Sequence, residues 1–124
     1  MPYIDSAERS ELTVMTIGDE VKMYDIDKNV FLMATGSHFQ SDIGVKLRQI
    51  AVKSLRKICG DILEERESNR ALAHKVKGIA LSCGAKEIAR ICLKLEHYDA
   101  VINKSAGKEI LLDVSNAMIR LCDA

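Results

Sequence analysis

The chain contains no tryptophan, only two phenylalanines and three tyrosines, and a single proline, Pro2. With no proline after the second residue, nothing in the sequence interrupts a helix further down the chain. Neither sign of charge predominates. Eighteen Lys and Arg stand against eighteen Asp and Glu, and a balanced chain is poorly suited to general nucleic-acid binding. No apolar run approaches the ~18 residues that would suggest a membrane span. The opening "MPYIDSAERSEL" lacks the basic and apolar regions of a signal peptide. A cytoplasmic protein with no membrane association is expected. The four cysteines, Cys59, Cys83, Cys92 and Cys122, form neither a CxxC pair nor a Cys/His metal signature. Each falls on or beside an apolar stripe, where free cysteine behaves as a small hydrophobe.

What the chain does have is helix-forming residues. At 124 residues and 48% hydrophobic it fits one domain with a modest core. Leu, Ile, Ala, Lys, Glu and Arg dominate, which favours helices over a sheet. Residues 1–26 are read as an N-terminal extension, because "LTVMTIGDEVKMYDI" shows no sustained period. From Asp27, "DKNVFLMATG" reads as a short helix stopping at Gly36. Ser41 or Asp42 then caps a helix of about 42–64, with Leu47, Ile50, Ala51, Leu55, Ile58, Ile62 and Leu63 as its apolar stripe. Ser68 or Asn69 caps a third helix carrying Leu72, Val76, Ile79 and Cys83. A fourth begins near Gly84-Ala85 with Ile88, Ile91, Cys92 and Leu95. "NKSAGK" is read as a loop, and a last helix of about 107–122 uses Ile110, Leu111, Val114, Ala117, Met118 and Leu121. Short links between long helices make antiparallel neighbours. The expected fold is therefore all-α: an antiparallel up-and-down four-helix bundle over 27–124 with an N-terminal helical cap.

Within "ALAHKVKGIALSCGAKEIARICLKLE", residues 71–96, one histidine stands out. At about 100° per residue, Val76, Ile79 and Cys83 fall within about 40° of Leu72, and His74 lies about 200° from it. Arg70, Lys77, Gly78 and Leu81 share His74's side of the wheel. His74 therefore faces solvent. Gly78, four residues on, sits beside it, and a glycine there costs about 1 kcal/mol of helix stability relative to alanine. What it offers is clearance for another protein's backbone. An exposed neutral imidazole has a free nitrogen lone pair near pH 7, and Lys77 is placed to meet an anion held on the ring. That combination suits a nucleophile that accepts a phosphoryl group. His38 and His97 have no such neighbours and are read as ordinary surface histidines.

The segment Ala73-His74-Lys75-Val76-Lys77-Gly78, followed by Gly84-Ala85, Ile88, Cys92 and Leu95-Glu96, resembles the signature of histidine-containing phosphotransfer (HPt) domains over 24 residues without a gap. Weaker agreement extends over about 27–124. The resemblance implies a four-helix bundle whose phosphoacceptor is His74. It would have no ATP site and no cofactor of its own, the Mg²⁺ being supplied by the partner. The partners implied are response-regulator receiver domains and a hybrid sensor histidine kinase. The domain would be a monomer that takes a phosphoryl group from a receiver phospho-aspartate and passes it to another receiver's aspartate. Lys77 carries over as the phosphate-facing cation and Gly78 as the clearance residue. Arg70, Lys75 and Leu81 would contribute to the docking face. Two departures stand out: Val76 replaces a usual leucine, and Ile79 and Leu81 occupy positions that are often small or polar. Some members hydrogen-bond the imidazole from the position of Glu96. Here Glu96 is either such a partner or a surface ion-pair residue.

Three other readings compete. The phosphoaccepting dimerisation domain of a sensor kinase usually carries an acidic residue after the histidine and a proline shortly beyond, whereas Lys75 follows His74 and no proline comes later. A metal-binding bundle needs inward Glu-x-x-His pairs, and none occurs. A non-transferring helical adaptor that docks receiver or kinase domains is the remaining alternative, set against the joint presence of His74, Lys77 and Gly78.

Overall fold

In the computed structural model, which describes residues 13–17 and 20–123, the helical part of the chain starts from a side-chain cap. Asp27 Oδ1 accepts from the amides of Asn29 and Val30 at 2.9 and 3.2 Å. Two of the donors left unpaired at the start of α1 (Lys28–Thr35) are thereby satisfied. Gly36, left-handed at φ 72°, ends that helix. Ser41, Ser68 and Asn103 start α2 (Asp42–Leu63), α3 (Asn69–Cys83) and α5 (Lys104–Cys122) in the same way. Each accepts from an amide three residues on, at 3.0 or 3.1 Å. The remaining helix, α4 (Lys86–His97), has no side-chain cap and follows a tight turn at Gly84.

Gly84 is required at that turn. Its φ is 84°, and a Cβ there would lie 2.4 Å from the Asp27 carbonyl oxygen. The close approach lets Asp27 N donate to Gly84 O at 2.9 Å, so α1 is pinned across the α3–α4 turn. Lys86 Nζ lies 3.4 Å from Asp27 Oδ2 and reinforces the junction.

Contacts between helix ends fix the directions. Arg48 near the start of α2 meets Cys122 at the end of α5, while Glu65 just past α2 meets Lys108 near the start of α5. These two helices run antiparallel. Asn69 with Lys104 and Cys83 with Cys122 make α3 parallel to α5, and α4 turns back against α3. The domain is all-α, with four long helices alternating in direction and α1 as a cap. The core lies between them, centred on Leu55, Ile62, Leu72, Val76, Ile88, Leu111, Val114, Met118 and Leu121. Among the described residues no helix is long and apolar enough to cross a membrane.

Several expectations need correction. Ahead of the helices, β1 (Thr13–Ile17) and β2 (Glu20–Tyr24) form an antiparallel hairpin, Thr13 opposite Tyr24 and Ile17 opposite Glu20. β1 packs beside α5. Tyr24 and Ile26, placed by the sequence in the extension, are buried in the core. The rest of that extension, residues 1–12 with Gly18 and Asp19, lies outside the described residues. Ile50 and Leu63, expected in the α2 stripe, are each 62% exposed. The buried face of α2 is instead Gly44, Arg48, Val52, Leu55, Ile58, Asp61 and Ile62. Two charged side chains occupy this stripe because each finds partners there. Arg48 donates to Phe39 O (3.1 Å), Cys122 O (2.8 Å) and Gln40 Oε1 (3.3 Å), with its guanidinium 4.1 Å from the Phe39 ring centroid. Asp61 accepts from Lys57 (3.0 Å) and Arg66 (2.8 Å). Finally, "NKSAGK" is no loop beyond its first residue. Asn103 is the cap, and α5 starts at Lys104, three residues earlier than expected.

Candidate functional site

Because Leu72, Ala73, Val76, Ala80 and Cys83 take the buried face of α3, His74 emerges on the opposite side with its side chain 69% exposed. The neighbouring helix supplies the contact that orients it. Glu96, near the end of α4, places Oε1 2.8 Å from His74 Nδ1. Its other oxygen lies 2.5 Å from Lys77 Nζ. The Glu96 side chain is only 15% exposed, so the carboxylate is a partly buried bridge between an imidazole and an ammonium.

The protonation pattern follows. Burial pushes the Glu96 carboxyl upward, but the hydrogen bonds from Lys77 and His74, with their charges, outweigh burial and hold it below the usual carboxylate range. An ionised carboxylate only accepts, so Nδ1 carries the proton and Nε2 of the neutral ring keeps its lone pair. Nδ1 is tied inward to α4, which leaves Nε2 as the nitrogen available to a partner. Beneath the site Cys92 is buried, and burial followed by the Glu96 charge pushes its thiol up to about 12. It stays a neutral thiol.

The other residues singled out in the sequence divide. The Lys77 ammonium pairs with Glu96, because a partly buried carboxylate needs a counter-charge close by. Lys75 pairs with Glu67 at 2.6 Å. Arg70 has no hydrogen bond or ion pair among the described residues and is the uncommitted cation beside the histidine. Ser68, Arg70, Ala71, His74, Lys75 and Glu96 line one open depression of about 590 Å³. At Gly78 no atom lies within 4 Å of where a Cβ would stand, so the space beside that helix turn is open. Leu81, 54% exposed, lies further along α3. His38 is exposed, and His97 packs edge-on against Tyr98 with 4.6 Å between ring centroids. The described residues contain no group of three or more His, Cys, Asp or Glu arranged around a metal site.

A chain-wide comparison bears on this constellation. A family model described as the Hpt domain matches residues 46–123, from the first turns of α2 to the residue after α5. The match takes in His74, Lys77 and Glu96 and covers well over half of the 124 residues. No curated protein and no solved structure matches the chain.

Proposed function

Because the chain belongs to the Hpt domain family, whose members carry phosphoryl groups within two-component phosphorelays and interact with receiver domains and kinases, we propose that His74 Nε2 is the phosphoacceptor. The group arrives from the phospho-aspartate of one receiver domain and leaves to the aspartate of another. In the forward step the Nε2 lone pair attacks phosphorus, an N–P bond forms, and the bond from phosphorus to the aspartyl oxygen breaks. That oxygen leaves as a carboxylate and takes the electron pair. The ring becomes cationic at this moment, and the Glu96 carboxylate on Nδ1 stabilises that charge from the far side. The reverse step returns the electron pair to Nε2. Mg²⁺ and most of the groups facing the phosphoryl oxygens come from the receiver.

The observation that carries the reading is the Nδ1–Glu96 hydrogen bond at 2.8 Å, which aims the free lone pair at solvent. Lys77 is assigned a positioning role. It holds Glu96 and so the ring, where the sequence alone suggested direct contact with phosphate. Arg70 is the cation assigned to the receiver's acidic pocket, Gly78 gives its backbone room, and Leu81 adds apolar contact.

The test is to incubate the protein with a phosphorylated receiver domain and Mg²⁺ beside His74→Gln. Label that stays on the wild type in alkali, is lost in acid and is absent from the variant supports transfer to His74. Receivers that bind but leave no label would favour the adaptor reading instead. If no receiver either labels or binds the protein, the reading fails.

A further inference from the structure

At the end of the bundle away from the His74–Glu96 contact, two buried thiols stand face to face. Cys83 ends α3 and Cys122 ends α5. Their sulfurs are 4.0 Å apart, with the Cys122 thiol donating toward Cys83. Both are nearly enclosed, at 5% and 2% exposure. The Arg48 guanidinium is held beside them by its bond to the Cys122 carbonyl. Nothing in phosphotransfer uses this arrangement.

We propose that Cys83 and Cys122 form a reversible disulfide when the protein meets a hydroperoxide, clamping α3 to α5. The sulfurs need to approach by about 2 Å to reach bonding distance, which rotation about the two Cα–Cβ bonds and a small shift of the helix ends can supply. Their chemistry is asymmetric. The hydrogen bond from Cys122 lowers the Cys83 thiol from its ordinary value, against burial and with help from Arg48. The same hydrogen bond and burial raise that of Cys122. Cys83 is therefore the attacking sulfur and Cys122 the resolving one.

In the first step the Cys83 thiolate attacks one oxygen of the peroxide, the O–O bond breaks, and hydroxide or alkoxide leaves, giving a sulfenic acid after proton transfer. Cys122 then attacks the Cys83 sulfur, the S–O bond breaks, and water leaves with the Cys122 proton. Two electrons pass from the thiol pair to the peroxide. A dithiol reductant reverses the bond by exchange. Cys59 is half-buried and lies 3.9 Å from Asn116 Oδ1, Cys92 is deep in the core, and among the described residues neither makes a sulfur–sulfur contact like that of Cys83 and Cys122. His74 is on the solvent side of α3, so the clamp leaves the phosphoacceptor free.

The experiment treats the folded protein with stoichiometric hydrogen peroxide, then digests it without reduction for mass spectrometry. The expected result is one linked peptide pair joining Cys83 to Cys122, lighter by two hydrogens, with Cys59 and Cys92 still titrating as thiols. Closing so long a loop raises Tm by roughly 5 °C or more. Dithiothreitol reverses the gain, which separates it from methionine oxidation. In Cys122→Ala, checked by circular dichroism for its helices, Cys83 stalls as a sulfenic acid trapped by dimedone and the Tm gain disappears. Three results overturn the proposal: Cys83 and Cys122 staying reduced until the protein unfolds, Cys59 carrying the cross-link, or the Tm gain persisting in Cys122→Ala. None of these readouts depends on phosphotransfer.

Discussion

Glu96 turns an ordinary surface histidine into one with a defined tautomer. With Glu96→Gln, the residue keeps an acceptor for Nδ1 but loses the charge that, in the proposed transfer, steadies a phosphorylated, cationic ring, and it loses its ion pair with Lys77. Outer partners that orient a functional imidazole are commonly worth roughly 10–100-fold. Receiver-dependent phosphorylation of Glu96→Gln is therefore expected to fall by about that factor with the helical content unchanged, as stopped-time labelling would show. A rate within twofold of wild type would remove Glu96 from the mechanism. The two neighbouring glycines should respond in opposite ways. Gly78→Ala meets open space and gains helix propensity of up to ~1 kcal/mol, so its thermal stability should hold or rise while transfer from a receiver drops. Gly84→Ala is forced into a left-handed backbone against the Asp27 carbonyl and should lose more than ~1 kcal/mol in denaturant unfolding. Reading Gly78 as a docking residue fails if its alanine variant transfers normally.

At the scale of elements, local chemistry was the most legible. Asp27, Ser41 and Ser68 announce three helix starts, and Gly36 and Gly84 two stops, since the physics of an unpaired amide or a left-handed residue is confined to a few neighbouring positions. Ser68→Ala should accordingly cost about 1 kcal/mol of stability, measured by urea unfolding, because it strips the cap from the helix that carries His74. His74's outward direction was also readable, being fixed by the angle between it and Leu72. What failed depended on distant partners. Arg48 looks like a surface residue until Phe39, Gln40 and the Cys122 carbonyl gather round it. Counting only apolar residues therefore placed Ile50 in the core. Whether Glu96 would reach Nδ1, and take Lys77 with it, turned on how α4 packs against α3. The hairpin left a faint mark. Gly18-Asp19 separates a run rich in Thr, Val and Ile from one holding Val and Tyr, a two-residue turn signal that is easily lost in a chain dominated by helix formers.

Taken whole, the domain has carboxylates spread along it that are held ionised by their surroundings. Hydrogen bonds from Lys57 and Arg66 keep Asp61 below its ordinary 3.8. Lys77 and His74 outweigh burial to keep Glu96 below 4.5. For Asp27, the backbone amide of Val30 leads in lowering the value. Each of these groups has a folded pKa below its unfolded one. Their contribution is complete above the unfolded values and is lost as pH falls through the folded ones. These three groups should therefore make Tm decline as pH falls below about 5. Asp61→Asn should be less stable at neutral pH and show a shallower acid decline, and an unchanged acid profile would exclude Asp61 as a contributor.

The alternation of helix directions has an electrostatic consequence. Each helix carries about half a unit of positive charge at its N-terminus and half a unit of negative charge at its C-terminus. Because α3 and α5 run one way while α2 and α4 run the other, each end of the bundle collects two of each and the backbone field largely cancels. The formal side-chain charges also sum to zero, at eighteen against eighteen. On the proposed function, a receiver approaching from beyond a Debye length meets little net attraction, and its encounter with the domain is governed by diffusion. Its association rate should sit in the unsteered range of about 10⁵–10⁶ M⁻¹s⁻¹. That rate should change little between low and physiological salt, and any salt sensitivity that remains should disappear on replacing Arg70.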